Sequence, residues 1–184
     1  MNARDRVSVH DLAGTTAGAE SESQKSSEDT RSSRGASATE TGAVIVLRGR
    51  KVVGGVAEGE ALVTRDTISG WGGVNPMQGT IIETRHELRG VSFKDKILVC
   101  PGAKGSSGWS AMFHTCRLAG TAPKAVVFNE MTTKIALGCV VMRVPSVTEL
   151  DRDPLEIIET GDWVKVDGDR GVVEIHKRAG RSGS

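Results

Sequence analysis

An α/β domain built on a mixed sheet and preceded by a polar tail is the fold class that this sequence predicts. Three observations predict it. Short Val/Ile/Leu runs recur between glycines from residue 43 onward, a run of helical periodicity interrupts them after residue 108, and residues 1–42 lack the apolar content that either element needs.

Residues 1–42 are mostly Ser, Thr, Gly, Ala and charge, as in AESESQKSSEDTRSSRGASATE, with too little apolar area to offset the entropy of ordering them. A disordered tail is expected there. The folded domain is expected over 43–178, followed by a flexible C-terminal tail at 179–184. Within the domain, AVIVLRGRKVVGGVAEGEALVT predicts strands near 43–48 and 59–64, because its β-branched runs break at glycines. ISGWGGVNPMQGTIIETRHELRG carries Gly-Gly and Asn-Pro turn signals around Trp71 and then a short strand at 80–83.

KILVC at 96–100 reads as a buried strand that runs into a glycine-rich turn. Beyond it, Trp109, Met112, Phe113, Cys116 and Ala119 fall at i, i+3, i+4, i+7 and i+10, one face of a helix. Ser106 or Ser107 is the expected N-cap and Gly120 the stop. KAVVF at 124–128 predicts a strand, TTKIALG a short helix capped by Thr132 or Thr133, and CVVMRVP a further strand. DRDPLEIIETGD predicts a helical turn. WVKVDGDRGVVEIHK predicts a β-hairpin about Asp167-Gly168.

Composition narrows the function. Lys plus Arg number 24 against 23 Asp plus Glu, a net charge of +1, so no global field steers the chain toward nucleic acid or an anionic membrane. Aromatic residues make up 3% and Tyr is absent, which removes the stacking platforms of single-strand binders. No apolar run approaches the roughly 20 residues of a membrane span, and no signal-peptide core is seen near the N-terminus. A cytoplasmic protein is expected.

Two segments carry candidate chemistry. Gly102 to Gly108, GAKGSSG, leads into a helix N-terminus, where unpaired N–H groups and the helix dipole favour an anion. The same field lowers the energy of an oxyanion, so Ser106 or Ser107 could act there as a base. The plainer reading is that either serine caps the helix. A Walker A loop is excluded, because no Lys-Ser/Thr pair follows the last glycine. The second segment is SGWGGVNPMQG, where Gly72 and Gly73 allow close backbone approach and Asn75 offers both a donor and an acceptor. Its plainer reading is a tight turn with Trp71 filling a gap in the core.

The remaining polar candidates are weaker. His86 sits beside Arg85 and Glu87 and reads as a solvated loop histidine. His114 is displaced from the apolar face of its helix, and His10 and His176 lie in or near the tails. Cys100, Cys116 and Cys139 are widely spaced, form no CxxC pair and fall in apolar surroundings, so they read as packing residues rather than metal ligands.

Taken in order, GVAEGEALVT, ISGWGGVNPMQGTIIETRHELRG, KILVCPGAKGSSGWS, GTAPKAVVFNEMTTKIALGCVVMRVPSV and GDWVKVDGDRGVVEI resemble the small subunit of the aconitase X family. The resemblance implies a swivelling β/β/α domain, similar to the aconitase swivel domain, that docks on a large subunit as a heterodimer. It implies a hydro-lyase in which Ser106, the first serine after the glycine, is the proton acceptor. By the same resemblance Ser107, Gly105, Gly72, Gly73, Val74 and Asn75 line the substrate site or the subunit interface. An iron or iron–sulfur cluster is implied as cofactor, held mainly by the large subunit's cysteines, with no metal ligand on this chain. Relatives act on small hydroxy acids: the long polar tail points to cis-3-hydroxy-L-proline as substrate, with mevalonate 5-phosphate as the alternative. A reading of another class is a non-catalytic module that binds an anion and regulates a partner.

Overall fold

The structure, a computed structural model, describes residues 43–178, so the two expected tails lie outside the described residues. In chain order the strands are β1 (Val44–Arg48), β2 (Arg50–Val53), β3 (Val56–Val63), β4 (Ile68–Ser69), β5 (Val74–Asn75), β6 (Thr80–Ile81), β7 (Ile97–Cys100), β8 (Ala103–Lys104), β9 (Ala125–Phe128), β10 (Ser146–Thr148), β11 (Trp163–Asp167) and β12 (Val172–His176). The helices are α1 (Gly108–Leu118), α2 (Thr133–Met142) and α3 (Pro154–Ile157).

The large sheet runs β1-β12-β11-β3-β7-β9-β10-β2. Its β3, β7, β9 and β10 strands are parallel neighbours, and the other pairings are antiparallel. Only Gly49 separates β1 from β2, yet they stand at opposite ends of this order, so the sheet curls until its edges meet. At the meeting point the Gly49 N–H donates to the Gly171 carbonyl and the Asp151 N–H to the Arg48 carbonyl, each at 2.8 Å. Closure of this kind leaves few unpaired edge groups for another chain to join.

Strands β7 and β9 are buried at every position, which requires cover on both faces. Their alternation sends Ile97, Val99, Ala125 and Val127 into the curled sheet with Leu47, Val164, Val166, Val173 and Ile175. Leu98, Cys100, Val126 and Phe128 point the other way, beneath α1 and α2. That second core is centred on Trp109, which stacks on Phe113 with centroids 3.9 Å apart and planes 18° apart. Its indole N–H donates to the Ile68 carbonyl at 2.9 Å. Gly138 of α2 admits the ring: a Cβ there would lie 2.0 Å from Trp109 Cζ3.

The mixed α/β sheet agrees with the class expected. The hairpin forms with Asp167 opposite Val172, and Asp153 caps α3 by accepting from the Leu155 N–H at 2.9 Å, with Pro154 at the first helical position. One element differs in kind. The strand expected over CVVMRVP is instead the second half of α2, and the strand is β10, after Pro145. A short apolar run does not distinguish a buried helix from a strand. Here Ile135, Gly138, Cys139 and Met142 are buried at i, i+3, i+4 and i+7, and Arg143 ends the helix in the left-handed region. The expected strand at 80–83 shrinks to β6, and β2 was not anticipated because Arg50 and Lys51 leave it little apolar alternation.

Candidate functional site

The two glycine segments, remote in sequence, lie side by side. Strands β3 and β7 are parallel neighbours, so the residues that follow each emerge at the same edge of the sheet. There β4 pairs in parallel with β8, setting Ile68 opposite Ala103 and Ser69 opposite Lys104. Trp109 secures the arrangement from below, since its indole bonds Ile68 and a Cβ on Gly70 would lie 2.4 Å from its Cα.

Ser106 and Ser107 are both exposed at the start of α1, and the structure distinguishes them. Ser107 occupies the N-cap place but has helical backbone angles, φ −59° and ψ −13°, and its hydroxyl makes no capping bond. The Gly108 N–H instead donates to Ser106 Oγ at 3.3 Å, a long cap-like bond. The backbone N–H here that donates to a serine hydroxyl thus serves Ser106. Gly105, just before it, holds φ +86°, a conformation glycine adopts without the penalty of a Cβ. Its carbonyl accepts from Lys134 Nζ at 2.7 Å. Lys104 is paired differently, with Glu83 Oε1 at 2.7 Å.

Across from this turn, Gly72 is exposed and Gly73 buried; a Cβ on Gly73 would lie 2.2 Å from the Ser69 carbonyl oxygen. The Gly73 carbonyl accepts from Ile82 N–H at 2.8 Å, tying in the segment that carries Glu83. Val74 is 1% exposed, so its side chain belongs to the core and only its backbone is available to line an interface. Asn75 spends its amide on its own turn: Oδ1 accepts from the Met77 N–H at 3.0 Å and Nδ2 donates to Gln78 Oε1 at 3.1 Å. Trp71 does not fill the core. It is 75% exposed, and its Cβ would lie 3.7 Å from a Cβ placed on Gly108, at the rim of the serine turn. The core tryptophan is Trp109.

His86 is also placed differently from the solvated residue expected, since it is 4% exposed. Its Nδ1 accepts from the Leu88 N–H at 3.1 Å, which gives the imidazole a role in the turn and leaves Nε2 without a partner among the described residues. Glu87 beside it accepts from the Thr64 hydroxyl and the Arg65 N–H, and these bonds, the hydroxyl's first, hold its carboxyl below the ordinary value of 4.5. That pins the 82–91 segment to the residues that follow β3.

The family model for the aconitase X swivel domain matches residues 46–175. The chain belongs to the aconitase X family. Its relatives include the phosphomevalonate dehydratase small subunits of Methanosarcina acetivorans, 39% identical over 74% of this chain and 94% of that one, and of Thermococcus kodakarensis, 41% identical over 70% and 95%. Among solved structures it resembles Thermococcus kodakaraensis aconitase X in its holo form, with a TM-score of 0.69 and 39% identity over 72% of this chain and 99% of that one. A UPF0107 protein solved in solution gives a TM-score of 0.67 at 38% identity, covering 72% of this chain and all of that one.

As an aconitase X swivel domain the chain is the small subunit of a dehydratase, as the motif blocks implied. The expected substrate needs correcting: the named relatives are phosphomevalonate dehydratase subunits, and none of these similarities supports cis-3-hydroxy-L-proline. The tail that favoured the proline substrate lies outside residues 46–175 and so carries no family information.

The described residues of this aconitase X chain supply no ligand set for an iron or iron–sulfur cluster. Cys100, Cys116 and Cys139 are all buried, and burial pushes the thiols of Cys100 and Cys139 up to about 12 and that of Cys116 up to about 11. Among the described residues no group of three or more His, Cys, Asp or Glu could hold a metal ion. Nor, among them, is any helix long and apolar enough to cross a membrane.

Proposed function

We propose that this chain is the small subunit of a hydro-lyase that dehydrates mevalonate 5-phosphate, and that it supplies Ser106 as the base. The observation that carries the substrate is the name shared by relatives 39–41% identical to this chain over 94–98% of their own length. In this reading the 69–75 and 102–108 turns face a large subunit, with Trp71 and Gly72 at the rim of contact. Asn75 shapes its turn, Gly73 and Val74 contribute backbone, and Ser107 and Gly105 flank the base.

The chemistry asked of this chain is one proton transfer. Ser106 Oγ takes the proton from the carbon next to the substrate carboxylate. The electron pair left behind forms the C=C bond as the hydroxyl on the neighbouring carbon departs with a proton as water. The Gly108 N–H and the start of α1 favour the serine oxygen in its anionic form, since both present positive charge to it. Closing the two glycine turns over the partner would exclude bulk water and strengthen that field.

The test is to purify the chain with its large subunit and supply mevalonate 5-phosphate and cis-3-hydroxy-L-proline in parallel. Water loss from the phosphorylated acid is expected. Turnover of the proline alone would overturn the substrate assignment.

A further inference from the structure

Lys134 is the single charged residue of α2 and stands in its first turn, where the helix dipole disfavours a cation. The placement is explained by its reach: Nζ lies 2.7 Å from the Gly105 carbonyl oxygen, across 29 residues of sequence. That carbonyl belongs to the peptide unit whose N–H is that of Ser106. A donor on it limits rotation of the peptide plane that enters the serine, at a glycine with φ +86° where rotation would otherwise be easy.

The charges around this turn are unevenly compensated. Lys104, on the turn itself, is paired with Glu83 at 2.7 Å. Glu130 flanks the base of the turn, its Cβ 3.2 Å from a Cβ placed on Gly102. The facing segment 68–75 contains no charged residue, and α1 has none before His114. No carboxylate among the described residues forms an ion pair with Lys134.

Resting on the assignment of Ser106 as base, we propose that Lys134 is a positioning residue for it, holding the carbonyl of the Gly105–Ser106 peptide and keeping there a positive charge that has no ion-pair partner among the described residues. Two effects follow. The ammonium holds the peptide plane from which the Ser106 side chain projects, and its charge favours the deprotonated oxygen.

The experiment compares wild type, Lys134→Met, Lys134→Arg and Ser106→Ala, each assembled with the large subunit, by steady-state kinetics across pH. Lys134→Met is expected to lower kcat about tenfold with little change in KM. The acid limb of its profile should move up by about one pH unit, because removing a positive charge raises the pKa of the base. Lys134→Arg should restore most of both. An unchanged kcat and limb in Lys134→Met overturns the proposal, as does a fall in kcat with an unmoved limb and no rescue by arginine. If Ser106→Ala keeps its kcat, the base assignment fails and this role with it; if Ser106→Ala is impaired and Lys134→Met is not, only the role of Lys134 fails.

Discussion

The parallel and antiparallel halves of the curled sheet bury similar aliphatic side chains, yet the candidate chemistry collects at one of them. Strands β3, β7 and β9 run parallel, and beyond their carboxyl ends lie the 69–75 turn, the 102–108 turn and the first turn of α2. Parallel strands deliver successive loops and helix N-termini to one edge, which is where ligands sit in open α/β sheets. The hairpin of β11 and β12 contributes stability and no candidate side chain. The lesson is that site and scaffold here are separable by strand direction, and that Trp109 is where they meet.

Substitutions on either side sharpen that division. Trp109→Ala should have the largest effect, about 3–5 kcal/mol of stability, since it empties a fully enclosed position and frees the Ile68 carbonyl. It should also lower kcat in whatever complex still assembles, because the indole holds Ile68, whose strand β4 pairs with β8 of the serine turn. Ile175→Ala, in the antiparallel half, should cost about 2–5 kcal/mol with kcat per assembled complex unchanged. Denaturant melts paired with activity titrations check both. A loss of kcat in Ile175→Ala to match Trp109→Ala would dissolve the distinction.

The smallest effect concerns pH. Glu87, held low by the Thr64 hydroxyl and the Arg65 N–H, adds stability above its ordinary value of 4.5 and loses it as pH falls through the lowered native value. Glu87→Gln should therefore melt slightly below wild type at neutral pH and converge with it in acid. The exposed carboxyl keeps this difference small. A gap that persists or widens in acid would contradict the linkage.

Much of this was legible from residues alone. The strands at β1, β3, β7 and β9, the α1 face and the hairpin follow from period and turn chemistry, which are local. The ordered blocks identified the family. What was not legible is what depends on distant partners. Periodicity placed Trp109 on the apolar face of its helix, but Trp71 sits among turn signals with no period to place it, and it proves exposed. The apolar Cys139–Met142 run fits either a strand or a helix until α1 is seen packing on it. His86 looked solvated because its neighbours Arg85 and Glu87 are charged, while a backbone bond to Leu88 turns the ring inward. Lys134 carried no signal, since its partner is a carbonyl 29 positions away.

Ser106 and Ser107 are alike in local chemistry; the family resemblance favours Ser106 as the base, and the Gly108 N–H at 3.3 Å from its Oγ supports that choice. The most direct test is kcat for Ser106→Ala and Ser107→Ala, each assembled with the large subunit and saturated with mevalonate 5-phosphate. A fall of about 10² to 10⁴ is expected for Ser106→Ala and a change within about threefold for Ser107→Ala. A Ser106→Ala complex that turns over like wild type, or a Ser107→Ala complex that loses as much, would contradict the choice of Ser106.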